Sequence, residues 1–132
     1  MEEYSKEVMD HFTNPRNVGK MEDPSGHGKV GNPVCGDIME LFIKVDEKGV
    51  ITDARFRTFG CGAAIASSSI LTELIKGKTI EEVSELTNNK VVEALGGLPE
   101  ENVHCADLAV TTLKKAISEC LGSGCSESDL DS

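Results

Sequence analysis

From Ile38 to Val45 apolar and polar positions alternate with a period of two. Met39, Leu41, Ile43 and Val45 fall on one side, and Ile38, Glu40, Phe42 and Lys44 on the other. That alternation is the mark of a strand with one face on a core. Asp46-Glu47-Lys48-Gly49 follows as a turn. Residues 50–59 then alternate again, with Val50, Thr52, Ala54 and Phe56 opposite Asp53, Arg55 and Arg57. The two runs and their turn predict a β-hairpin.

Elsewhere the spacing is helical. Val8, Met9 and Phe12 mark a short amphipathic helix over residues 3–13, ended by Asn14-Pro15. Residues 14–36 are rich in glycine, proline and asparagine, which predicts a long loop with a short edge strand near Lys29–Asn32. Ala66, Ile70 and Leu74 recur every four residues within Ala63–Lys76, and Gly77 supplies a stop. Thr79-Ile80-Glu81-Glu82 has the form of a capping box, so a helix begins at Ile80. Asn88 or Asn89 can cap another helix that runs to Leu95. After Gly96-Gly97-Leu98-Pro99, the series Cys105, Leu108, Ala109, Leu113, Ala116, Ile117 and Cys120 marks the longest helix, about Asn102 to Leu121. The prediction is an α+β domain over residues 1–121, with helices and a long C-terminal helix packed on a small antiparallel sheet of about three strands. Residues 122–132 read as a flexible acidic tail.

Three of the five cysteines stand in settings that suit chemistry. Cys35 lies in Gly31-Asn32-Pro33-Val34-Cys35-Gly36-Asp37, Cys61 in Phe59-Gly60-Cys61-Gly62, and Cys105 follows His104. Thiolate, imidazole and carboxylate are the side chains that bind transition metals. All three cysteines fall at the ends of predicted elements, where side chains from distant segments can converge. Cys120 continues an apolar helix face and is expected in the core, while Cys125 is an incidental thiol of the tail. His11 and His27 are expected to serve structure, and Ser67-Ser68-Ser69 to allow close packing near Cys61. Gly26-His27-Gly28-Lys29 lacks the spacing of a phosphate-binding loop.

Composition narrows the setting. With 132 residues, 39% hydrophobic and 27% charged, the chain is long enough for one soluble core without staples. A net charge of −10 argues against nucleic acid, which requires a basic footprint. An odd cysteine count argues against a complete disulfide framework, so reduced thiols are expected. The polar, acidic N-terminus does not read as a signal peptide, and no apolar run suits a membrane span, so a cytoplasmic location is expected.

Five segments together carry a resemblance. They are Asp10-His11-Phe12-Thr13-Asn14-Pro15-Arg16-Asn17-Val18-Gly19, Cys35-Gly36-Asp37, Asp53-Ala54-Arg55-Phe56, Gly60-Cys61-Gly62-Ala63-Ala64-Ile65-Ala66-Ser67-Ser68-Ser69 and His104-Cys105. In that order, from about Tyr4 to Leu121, the chain resembles the IscU-type iron–sulfur cluster assembly scaffolds and the N-terminal domain of NifU. The resemblance implies an assembly scaffold and sulfur acceptor rather than an enzyme. Such a protein takes persulfide sulfur from a cysteine desulfurase, adds iron and electrons from a donor such as ferredoxin, holds a labile [2Fe–2S] cluster and passes it to recipient apo-proteins. It also implies Cys35, Cys61 and Cys105 as cluster ligands, Asp37 or His104 completing the site, Cys105 as candidate sulfur acceptor, and a homodimer as one assembly. Zinc occupies the same groups in some members. Two other readings are a zinc-bound sulfurtransferase of SufU type and a structural zinc protein. The SufU group carries an insertion between the second and third cysteines and lacks the preceding histidine, whereas this chain has His104. Many IscU proteins carry Leu-Pro-Pro-Val-Lys, a site for a dedicated Hsp70, where this chain has Leu98-Pro99-Glu100-Glu101-Asn102. Weak Hsp70 binding is the expectation.

Overall fold

A computed structural model describes residues 4–31 and 36–122. Cys35 and the tail with Cys125 lie outside the described residues. The element order is α1 (Lys6–Thr13), β1 (Gly26–Gly31), β2 (Ile38–Val45), β3 (Ile51–Phe59), α2 (Gly62–Ile75), α3 (Ile80–Val83), α4 (Asn88–Ala94), a 3-10 turn (Glu100–Asn102) and α5 (Val103–Gly122). The strands form one antiparallel sheet in the order β1-β2-β3. Helices α5 and α2 pack on one face of it, and α1 and α4 pack on those helices. This is the predicted α+β layout.

The hairpin forms as the alternation requires, with Met39, Leu41 and Ile43 fully buried under the helices. Its second strand departs from the expected phase. A register shift between Lys44 and Val45 brings Ile51 inside and leaves Thr52 exposed, while Ala54 and Phe56 stay buried. One irregular residue is enough to turn a strand's faces over. On the outer face Phe42 is covered by His27, with ring centroids 4.9 Å apart.

The first strand is longer than the expected edge strand and begins earlier. Gly26 and Gly28 read as loop in the sequence, yet both lie buried beneath α5. A Cβ on Gly28 would stand 2.6 Å from the Thr112 carbonyl oxygen and 2.8 Å from the Ala116 nitrogen, and one on Gly26 would overlap the Ala116 carbonyl. The glycines let helix backbone rest directly on strand backbone. Because the obstacles are main-chain atoms, Gly28→Ala should push α5 off the sheet. The expected cost is about 1–3 kcal/mol of stability, read as a lower urea midpoint at unchanged m-value. Gly122→Ala, with nothing within 4 Å of the added carbon, is the matched control.

The helices largely follow their signals. The Thr79–Glu82 capping box is formed in both directions. Helix α4 is capped one residue earlier than expected, by Thr87, whose hydroxyl accepts from the Lys90 N–H. In α5 every residue of the predicted apolar series is buried. Helix α1 differs: Val8 and His11 face inward, while Met9 and Phe12 are exposed. Helix α2 is not a one-sided stripe. Ala63, Ala64, Ala66, Ser67, Ser68 and Ser69 are all buried, because the helix is enclosed by α1, β3, α4 and α5 and small residues let them approach. Among the described residues no helix is long and apolar enough to cross a membrane.

Candidate metal centre

Three elements end at one place. Ile38 at the start of β2 pairs with Phe59 at the end of β3, so the next positions out, Asp37 and Gly60, lie across from each other. Gly36, at φ 79°, makes the turn that feeds Asp37 into the strand, a conformation glycine adopts without penalty. Cys61 follows as the N-cap of α2, and its side chain makes no capping bond. The cap's backbone carbonyl accepts from Ala64 and Ile65 instead, so the thiol is available to other partners. Cys105 enters from the first turn of α5, where Ala106, Leu108 and Ala109 anchor the helix in the core.

The side chains meet at close range. Cys61 Sγ and Cys105 Sγ are 3.7 Å apart. Asp37 Oδ2 lies 3.6 Å from the first and 3.7 Å from the second, accepting from both thiols. His104 Nε2 lies 3.7 Å from Cys105 Sγ. Donor atoms of Asp37, His104 and Cys105 all fall within 4.8 Å of one another. A tetrahedral ion with metal–sulfur bonds near 2.3 Å and metal–oxygen bonds near 2.1 Å needs S···S and S···O edges of about 3.8 Å and about 3.6 Å. The triangle of Cys61, Cys105 and Asp37 has those edges without rearrangement. The residues therefore fit a thiolate-bound metal, with His104 beside the triangle as a further donor.

Burial and field are uneven across the site. Cys61 is exposed, Cys105 is completely buried, Asp37 is 5% exposed and His104 half-buried. The N-termini of α2 and α5 both point here, and their partial positive charge offsets some repulsion among anionic donors. Exposed aromatics flank the opening. Phe59 is 72% exposed two residues before Cys61, and the ring of Phe12 lies over Gly62. An apolar Phe12 in an amphipathic pattern reads as core, so the sequence held no sign that it would border the site.

The structure brings together Asp37, Cys61, His104 and Cys105, four of the five residues singled out from the sequence. Cys35, the fifth, lies outside the described residues. Cys61 and Cys105 carry thiols, whereas Cys120, buried in the core as expected, is disulfide-bonded, a departure from reduced thiols throughout. The structural reading of the other histidines is supported. His11 Nδ1 is 2.7 Å from Ser69 Oγ, and burial, helped by nearby Arg16, pushes its pKa below the usual imidazole value. Ser69 also accepts from the Arg16 N–H, and Asn17 donates to Thr72. The motif from Asp10 to Gly19 thus fastens α1 and the edge of β3 to α2. His27 Nε2 is 2.6 Å from Glu40, which also accepts from Arg57. Burial works against the charge of Glu40, but those hydrogen bonds outweigh it and hold its pKa below the ordinary carboxylate value.

The NifU-like N terminal domain family matches residues 3–125. The chain is 59% identical over 114 residues to a protein of Archaeoglobus fulgidus named iron-sulfur cluster assembly scaffold protein IscU 1, covering 86% of this chain and 74% of that one. It is 49% identical over 119 residues to the iron-sulfur cluster assembly scaffold protein IscU of Escherichia coli, covering 88% of this chain and 92% of that one. In fold it is similar to the crystal structure of a NifU-like N-terminal protein from Brucella abortus, with a TM-score of 0.72 and 18% identity over 91% of this chain and 95% of that one.

Proposed function

The chain belongs to the NifU-like N-terminal domain family, and from that membership we propose that it is a scaffold on which iron–sulfur clusters are assembled. The observation that carries the reading is the triangle of Cys61, Cys105 and Asp37, set at metal-binding distances where β2, α2 and α5 begin. The cargo is a [2Fe–2S] cluster, with Cys35, Cys61 and Cys105 as its thiolate ligands and Asp37 or His104 as the fourth donor. Zinc is the substitute occupant. Asp37, Cys61, His104 and Cys105 offer sulfur, nitrogen and oxygen donors of the kind it takes.

Sulfur arrives from a cysteine desulfurase docked over the exposed end of the site. A thiolate of the scaffold attacks the outer sulfur of the enzyme's persulfide. The S–S bond breaks, the desulfurase keeps a thiolate, and the scaffold carries the new persulfide. Cys105 is the proposed acceptor. It is buried while Cys61 is exposed, so sulfur bound for Cys105 must pass beside Cys61 or enter with movement at the start of α5. Two electrons per sulfur, from a donor such as ferredoxin, then reduce it to sulfide. The chain's own part is to bind, orient and release. It is an assembly platform with recipient apo-proteins as partners, and not a turnover enzyme. Residues 1–121 form the working domain in this reading, and 122–132 its tail.

Anaerobic incubation with a desulfurase, cysteine, iron and a reductant tests it. A visible-absorbing cluster with stoichiometric sulfide is the expected result. Persulfide relay without a cluster would instead make the chain a SufU-type sulfurtransferase, and zinc inert to all additions would make it a structural zinc protein.

A further inference from the structure

Asp37 divides its two carboxylate oxygens between two tasks. Oδ2 faces the thiols of Cys61 and Cys105. Oδ1 lies in the space that a side chain on Gly60 would fill. A Cβ built on Gly60 would stand 2.5 Å from Oδ1, 2.7 Å from Cγ and 3.1 Å from Cβ of Asp37. Gly60 is not among the glycines with positive φ, so its backbone suits any residue and the obstacle is purely steric. Its neighbours in the motif make other demands. A Cβ on Gly62 would meet the ring of exposed Phe12 at 3.2 Å, a contact that the ring can relieve by moving. Asp37 can relieve the overlap only by giving up its place, because it is buried and its Oδ2 is engaged by both thiols.

We propose that Gly60 is the positioning residue for the donor carboxylate. Its missing side chain is the slot that takes Oδ1, and seating Oδ1 there fixes Oδ2 at metal-binding distance from both sulfurs. The antiparallel register supplies the coupling, because Asp37 and Gly60 are successive to the Ile38–Phe59 pair. The inference rests on the metal-site reading above and adds a residue that touches no metal. Gly60→Ala should fold but turn the carboxylate away, leaving the donors that remain when Asp37 itself is removed.

Cobalt(II) reports this directly, since its ligand-field and thiolate charge-transfer bands respond to the donor set. The full chain, reduced and stripped of metal, would be titrated with cobalt(II) as wild type, Gly60→Ala, Asp37→Ala and the double variant. The expected result is that Gly60→Ala shifts the bands away from wild type to the spectrum of Asp37→Ala, and that the double variant matches Asp37→Ala with no further change. Such complete non-additivity is the sign of one residue acting through another. If Gly60→Ala fails to fold while the double variant folds, the clash is again with the carboxylate and the proposal stands. A Gly60→Ala spectrum equal to wild type would overturn it and leave the metal site intact. A double variant worse than Asp37→Ala, in folding or in spectrum, would overturn it by showing that Gly60 acts on the backbone. A wild-type chain that develops no cobalt bands would remove the metal site and this inference together.

Discussion

Cys61→Ser and Cys105→Ser should each abolish retention of a cluster while leaving a folded domain. Serine keeps the size of the side chain but replaces a soft thiolate with an oxygen that is protonated at neutral pH. Loss of a supporting partner alone costs a metal site about 10–100-fold in affinity, so loss of a direct donor should exceed about 100-fold. The two variants should differ in stability. Cys105 is fully buried on α5, where a hydroxyl must find a partner, and Asp37 Oδ2, 3.7 Å from its sulfur, is an acceptor within reach. Cys61 is exposed at the N-cap of α2, where serine is a favoured residue, so Cys61→Ser should melt at or above the wild-type temperature even as it loses its cargo. Cys35→Ser should lose the cluster as well. The measurement is iron and sulfide per chain after anaerobic reconstitution, beside a thermal melt of the apo form. Normal cluster yield in the three cysteine variants would exclude this site.

That separation of roles was partly legible from the chain. Strand β2 and the apolar series of α5 follow from periodicity, because each buries one continuous face, whereas the register shift opposite Val45 changes the phase of β3. The site was legible through its donors, since cysteine beside glycine or histidine at element ends has few structural uses. Three things were hidden. Gly26 and Gly28 carry no side chain to show a period, so strand β1 looked like loop, although those glycines are where α5 sits on the sheet. His11 is polar, so the spacing puts Val8, Met9 and Phe12 on the inner face of α1, and the contact with Ser69, 58 residues away, shows why His11 takes the place of Met9 and Phe12 beside Val8. The slot at Gly60 depends on the register of β2 against β3. Glycine in a turn before a helix looks the same whether it bends the chain or makes room for a carboxylate. What escaped the sequence was in each case a contact between distant segments, which local spacing does not encode.

Asp37 gives the second large effect, and its direction runs against that of the cysteines. In the proposed site it is the hard donor of a soft set, and it is buried, with Oδ2 reaching both sulfurs. An oxygen ligand holds iron of a sulfide cluster less firmly than a thiolate does, which suits a protein that must give its cargo away. Removing it leaves both thiols in place, and His104, with Nε2 3.7 Å from Cys105 Sγ, is beside the position it vacates. Imidazole is the softer donor, so Asp37→Ala should hold its cluster longer than wild type and transfer it more slowly to an apo-ferredoxin. A roughly 10-fold change in each rate would correspond to about 1.4 kcal/mol of added retention. The half-life in air and the transfer rate, measured on the same preparations, decide the matter. Both should slow together, because the weak oxygen that lets water or a recipient reach the iron is the same one. If the cluster of Asp37→Ala were lost faster while transfer stayed unchanged, the carboxylate would be a stabilising ligand, and release would have to be governed by His104 or by movement of α5.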